Sequence, residues 1–135
     1  MDKVRESLLA HPDDGDLNAL MAMNLMETGD FQAGLPFAEK AVSLDGSHVQ
    51  RLVLSRAYFR TGNIEQAEDL LRDLLEEYPD DVNSAVALST IREKQGNLEG
   101  ARSIIATMQS RQPSDPGLAE RLTELQAKSP TSLSH

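Results

Sequence analysis

Cysteine is absent from this chain, so neither a disulfide nor a thiolate metal site can contribute to its stability. Aromatic residues are almost as scarce: no tryptophan, two tyrosines and three phenylalanines make up 4% of 135 residues. A conventional single core would be thin on such material, which favours an architecture whose elements bury only a seam against their neighbours. Basic residues are outnumbered, with 13 Lys and Arg against 22 Asp and Glu for a formal net charge of −9. That excess repels nucleic-acid phosphates and anionic membrane surfaces, so no nucleic-acid partner is expected. No stretch approaches the roughly 20 apolar residues that span a bilayer, and no direct membrane insertion is expected. The opening Met1-Asp2-Lys3-Val4-Arg5-Glu6-Ser7 carries charges where a secretory signal has its apolar core. The expected compartment is therefore the cytoplasm, or the periplasm if the sequence is a fragment of a larger secreted or anchored protein.

Signatures of catalysis are missing as well. The three histidines, His11, His48 and His135, fall in inter-helix breaks and at the end of the chain, with no motif partner for nucleophilic or general-base work. There is no Gly-rich phosphate loop and no His-Glu-x-x-His. Oxygen ligands do bunch at Asp13, Asp14, Asp16 and Asn18 around Gly15. They lack the alternating spacing and distal bidentate Glu of a calcium loop, so they read as helix-capping residues. No enzyme, metal or cofactor is expected.

What the chain does contain is one short phrase repeated: Thr28-Gly29-Asp30-Phe31, Thr61-Gly62-Asn63-Ile64 and Gln95-Gly96-Asn97-Leu98, with glycines 33 and then 34 residues apart. Pro12, Gly46, Pro79 and Pro113 keep the same register, 34, 33 and 34 residues apart. A fixed period of this size marks stacked supersecondary units rather than one wound core. Packing positions repeat too. Met21, Leu54 and Leu88 are large, the following Ala22, Ser55 and Ser89 are small, and Gly34, Ala67 and Ala101 are small five residues past each turn glycine. Small residues at matching heights let two antiparallel helices approach closely while the large ones fill the grooves. The unit is a helical hairpin.

Small-after-large in a first helix, a Gly-Asp/Asn turn, a small residue in the second helix and a closing proline resemble the tetratricopeptide repeat, over about residues 15–113. The resemblance implies an all-α, right-handed superhelical solenoid of antiparallel hairpins, about eight helices in all. Residues 1–12 form an N-terminal half-repeat or cap. Three repeats follow at 13–46, 47–80 and 81–114, then a C-terminal capping helix at 115–128 and a disordered tail at 129–135. The departures are specific. Asn18, Arg51 and Ala85 stand where the family has an aromatic, Leu74 and Met108 replace a small residue kept only at Ala41, and Gly46 replaces a proline.

Within that frame two features are individual. Pro36 lies inside the second helix of the first hairpin, where it removes a hydrogen bond and crowds the carbonyl four residues back; the helix is expected to begin late, near Gly34, or to kink. The helix at residues 2–10, with Val4, Leu8 and Leu9 on one stripe, is a second helix without its first. Its edge is either a cap, the stump of an upstream repeat, or a surface that pairs with a second copy. At the other end, Asp115 before Pro116 starts a helix whose apolar stripe is Leu118, Leu122 and Leu125, with Arg121 and Lys128 on the solvated side.

The resemblance also implies a concave groove lined by first-helix residues that receives a partner peptide. Projected onto this register, it comprises Asp16, Ala19, Met23, Met26 and Glu27 from the first repeat and Leu52, Arg56, Phe59 and Arg60 from the second. The third repeat adds Asn83, Val86, Thr90, Glu93 and Lys94. Methionine adapts to varied apolar ligands and arginine grips carboxylates with two prongs. The expected ligand is a short protein segment with one or two apolar anchors and an acidic group near Arg56 or Arg60. The bland alternative makes Met23 and Met26 core residues and pairs the arginines with Glu27. The lysine and asparagine clamp of chaperone-binding relatives is not reproduced, so chaperone-tail recognition is not supported. On the outer side, Glu65, Glu68, Asp69, Asp73, Glu76 and Glu77 read as a solvated face or a docking strip for a basic partner. The competing function is assembly into a homo-oligomer or a longer repeat array through the N-terminal edge.

Overall fold

The computed structural model describes residues 2–128; the tail expected at 129–135 lies outside them. Among the described residues there are eight α-helices: α1 Asp2–Ala10, α2 Gly15–Glu27, α3 Phe31–Leu44, α4 His48–Arg60, α5 Ile64–Glu77, α6 Val82–Lys94, α7 Leu98–Arg111 and α8 Pro116–Ala127. The fold is all-α. Helix starts follow the capping residues of the sequence: Asp14 accepts from the Leu17 N–H at 3.0 Å, Ser47 from Gln50 at 3.3 Å, Asn97 from Gly100 at 2.8 Å, and Asp115 from Gly117 and Leu118. Each side-chain oxygen satisfies an N–H that the first helical turn leaves without a partner.

The repeated turn has a common physical cause. Gly29, Gly62 and Gly96 adopt φ of 85°, 86° and 81°, the left-handed region open to glycine at little cost. The N–H of the residue after each then reaches back to the last turn: Asp30 to Leu25 O at 2.9 Å, Asn63 to Tyr58 O at 2.8 Å and Asn97 to Arg92 O at 2.8 Å. These bonds close three first helices in the same way and point the chain into the second.

Pro36 does not delay α3. The helix begins at Phe31, not near Gly34, because Asp30 caps it through the Ala33 N–H at 3.3 Å. The Gly34 N–H already donates to Asp30 O at 3.1 Å. The ladder is thus established before proline removes a single bond from it.

Two compact units divide the chain, the first ending at Leu70 and the second beginning at Leu71. In the first, α2 packs on α3 and α3 on α4, and α1 lies against α2. Its core joins Ala22, Met26, Ala38, Val53, Leu54 and Ala57, with Leu35, Phe37 and Tyr58 packed around them. Ala22 and Ala38 are fully buried. At Gly34 a β-carbon would lie 3.1 Å from Ala22 O, so α2 and α3 meet backbone to backbone there.

In the second unit, α6 packs on α7 and α7 on α8. Ala85, Ala101, Ile105, Met108, Leu118 and Leu125 form its core. The small positions predicted for both units, Ser55, Ala67, Ser89 and Ala101, are all buried. The serines at two of these positions return their hydroxyl protons to their own helix, Ser55 to Leu52 O and Ser89 to Val86 O, both at 2.7 Å. That spares the seam an unsatisfied polar group.

Candidate peptide-binding site

The α2 and α4 helices of the first unit bring together five of the residues expected to line a groove. Met23, Met26, Glu27, Arg56 and Arg60, joined by Gly29 and Phe31, line an open cleft of about 460 Å³. Spacing along the helices explains this. Met23, Met26 and Glu27 are three and four apart on α2, and Arg56 and Arg60 are four apart on α4, so each set shares one face. The cleft floor is apolar: Met26 is 8% exposed and belongs to the core, and Met23 and Phe31 pack against that core. Its rim is charged. Glu27, Arg56 and Arg60 are all exposed.

Neither the core reading nor the binding reading of the methionines is complete. Met26 is a core residue that also lines the cleft, whereas Met23 is half-buried. The arginines are not paired with Glu27. Among the described residues, Arg56 and Glu27 form no ion pair, and Arg60 places its guanidinium over the ring of Phe31, 4.2 Å from the centroid. Stacking on an aromatic face leaves the edge of the guanidinium, with its N–H fork, free to meet an anion.

Phe31 escapes the first-helix projection because it opens the second helix. A signal was present: the repeats carry Phe31, Ile64 and Leu98 after the turn, and only the first offers a ring. Leu52 and Phe59 are half-buried on α4 and do not line the cleft.

The third-repeat residues belong to the second unit, where α6 faces a different neighbour. Asn83 and Lys94 are exposed, and Val86 packs on the core. Thr90 donates to Val86 O at 3.0 Å and faces Arg121, whose guanidinium lies 3.5 Å from its hydroxyl. Arg121, expected in solvent, reaches across from α8 to Ser89 Oγ at 3.2 Å and Glu93 Oε1 at 2.8 Å. Its side chain is only 12% exposed. The long Arg121 side chain on α8 thus reaches one buried and one half-buried hydroxyl instead of extending into solvent. Lys128 bonds Glu93 as well. These two cationic hydrogen bonds hold the Glu93 carboxyl below its ordinary range, Lys128 contributing most.

At the N-terminal edge, Val4 and Leu8 are half-buried while Leu9 is 85% exposed. The acidic residues near Gly15 have structural employment. Asp13 pairs with Lys40 at 3.5 Å, Asp14 caps α2, and Asn18, 1% exposed, donates to Pro12 O and Asp14 O. Asp16 accepts from Gln50 Nε2 at 3.1 Å. Among the described residues no helix is long and apolar enough to cross a membrane.

Comparison with known proteins agrees with this architecture. A family model described as tetratricopeptide repeat matches residues 25–91. Among solved structures, YrrB, described as a tetratricopeptide repeat protein with an unusual peptide-binding site, is similar over 91% of this chain and 63% of its own, with a TM-score of 0.80 at 20% identity. A tetratricopeptide repeat protein from Parabacteroides merdae aligns over 90% of this chain and 48% of its own, with a TM-score of 0.81 at 18% identity. MamA aligns over 90% of this chain and 72% of its own, with a TM-score of 0.76 at 17% identity. No curated protein matches by sequence. By its hairpins, its left-handed turn glycines and the family model that matches residues 25–91, the chain carries tetratricopeptide repeats.

Proposed function

We propose that this chain is a non-catalytic protein-interaction module that takes a short segment of a partner protein in the cleft between α2 and α4. One observation carries the reading: two arginines one helical turn apart flank an apolar floor with no ion pair among the described residues. In a chain of net charge −9, unpaired cations beside a half-buried thioether and ring are a local exception that suits an apolar anchor next to an acidic group. YrrB, which shares the fold, is named for a peptide-binding site, and this supports the reading by analogy of fold alone.

The test is affinity capture from a cell extract with the wild type and an Arg56→Glu, Phe31→Ala double variant, identified by mass spectrometry. Partners should be lost with the variant while circular dichroism is unchanged. Equal retention of the same partners by both proteins would remove the cleft from the account.

A second reading rests on Leu9, which at 85% exposure on α1 leaves an apolar side chain unpartnered. Self-association through that edge predicts a concentration-dependent mass in light scattering that Leu9→Asp abolishes. A constant monomer mass rules it out.

A further inference from the structure

The cleft carries three charges of two signs. Arg56 and Arg60 occupy the α4 wall, while Glu27 stands at the end of α2 and, among the described residues, has no ion-pair or side-chain hydrogen-bond partner. Resting on the peptide-binding reading above, we propose that Glu27 selects a basic group in the ligand. The cleft then recognises a bipolar segment in which an acidic residue meets the arginines, an apolar residue sits on Met23, Met26 and Phe31, and a Lys or Arg meets Glu27.

Desolvation decides which segments the cleft accepts. A ligand covering the apolar floor strips water from the rim. An acid left there without a partner opposes binding more strongly than an exposed one ever could. A purely acidic segment would satisfy the arginines and be repelled by Glu27. A purely basic one, favoured by the overall charge of −9, would satisfy Glu27 and be repelled by both arginines. Only a segment bearing both signs leaves no charge unpaired, so Glu27 acts as an element of exclusion as much as of attraction. It also fixes direction. The acid and the base address opposite walls, so a segment with its charges exchanged cannot dock in the same orientation.

The three charges differ in preorganisation. Arg60 is held against Phe31 at 4.2 Å, so less side-chain freedom is lost when it grips an anion. Arg56 has no such restraint and can follow the ligand. The anionic end of the segment is therefore the anchored one, and the basic end is the selective one.

The experiment selects random linear peptides displayed on phage against the wild-type chain, Glu27→Gln, Glu27→Lys and Arg56→Gln. Glu27 and Arg56 are exposed, so these variants fold, which circular dichroism verifies. The wild type should enrich peptides combining acid, apolar residue and base. Glu27→Gln should keep the acid and weaken the preference for the base by roughly tenfold, the scale of one charge-assisted hydrogen bond. With Glu27→Lys a second acid should replace the base, and Arg56→Gln should weaken the preference for the acid. If the wild type enriches acid and apolar residue without a base, and Glu27→Gln changes nothing, the role of Glu27 is wrong while the cleft reading stands. If the wild type enriches no motif, both fall.

Discussion

The guanidinium of Arg121 on α8 donates to Glu93 Oε1 on α6 at 2.8 Å, and Lys128 approaches the other oxygen of the same carboxylate. Glu93 is thereby held ionised below its ordinary value of 4.5. A carboxyl whose pKa is lowered by folding contributes stability above its unfolded value and loses it as pH falls through the folded one. Thermal melts followed by circular dichroism should therefore show stability that is level at neutral pH and declines below about 4.5. Glu93→Gln should remove about 1–2 kcal/mol at pH 7 and flatten that decline. An unchanged acid limb in the variant would mean that other carboxylates govern it.

Gln50 supplies a second prediction. It is 1% exposed, accepts from the Gly46 N–H at 3.1 Å, and donates to Asp16 at 3.1 Å and Asp45 at 3.2 Å. Gln50→Leu keeps the bulk but strands a backbone N–H, and should cost about 2–3 kcal/mol in urea unfolding. Gln50→Glu restores an acceptor but sets a third carboxylate against two, so its deficit should shrink as pH is lowered.

Gly34 tests how closely α2 and α3 approach. Alanine there gains about 1 kcal/mol of helix propensity, yet its β-carbon would lie 3.1 Å from Ala22 O and 3.3 Å from Met26 Cγ. The thioether can move and the helical carbonyl cannot, so Gly34→Ala should fall within about 1 kcal/mol of wild type. Gly34→Val adds two methyl groups at the same point and should lose about 2–3 kcal/mol, as overpacking does. Denaturant titration separates the two.

Phe31→Leu would leave the cleft apolar while removing the ring beneath Arg60. Stability should change by less than about 1 kcal/mol, and affinity for an acid-bearing peptide recovered by display should drop about threefold to tenfold. Equal affinity would show that stacking does not organise the arginine.

Much of this was written in the repeat itself. Turn glycines, caps and small positions are local or periodic requirements, so they set the helix limits and the seam, and helical spacing gathered Met23, Met26, Glu27, Arg56 and Arg60. What stayed illegible depends on reach between elements. Phe31 enters the cleft from the start of α3, Arg121 spans from α8 to α6, and Gln50 looks like a surface residue until the turn at Asp45 and Gly46 closes over it. Pro36 misled for the opposite reason, since the capped turn before it outweighs one missing bond.

The contacts of Gln50 mean that repeats with similar backbones are not exchangeable. One register back from Gln50 the chain has Leu17, one forward Ser84, and the partner Asp16 corresponds to Val49 in the next repeat. A tandem copy of the second repeat placed after itself would set a buried amide against valine where it now meets a carboxylate. The second repeat thus carries an address, written in the one polar side chain of Gln50 at its boundary, that its proper predecessor reads through Asp16.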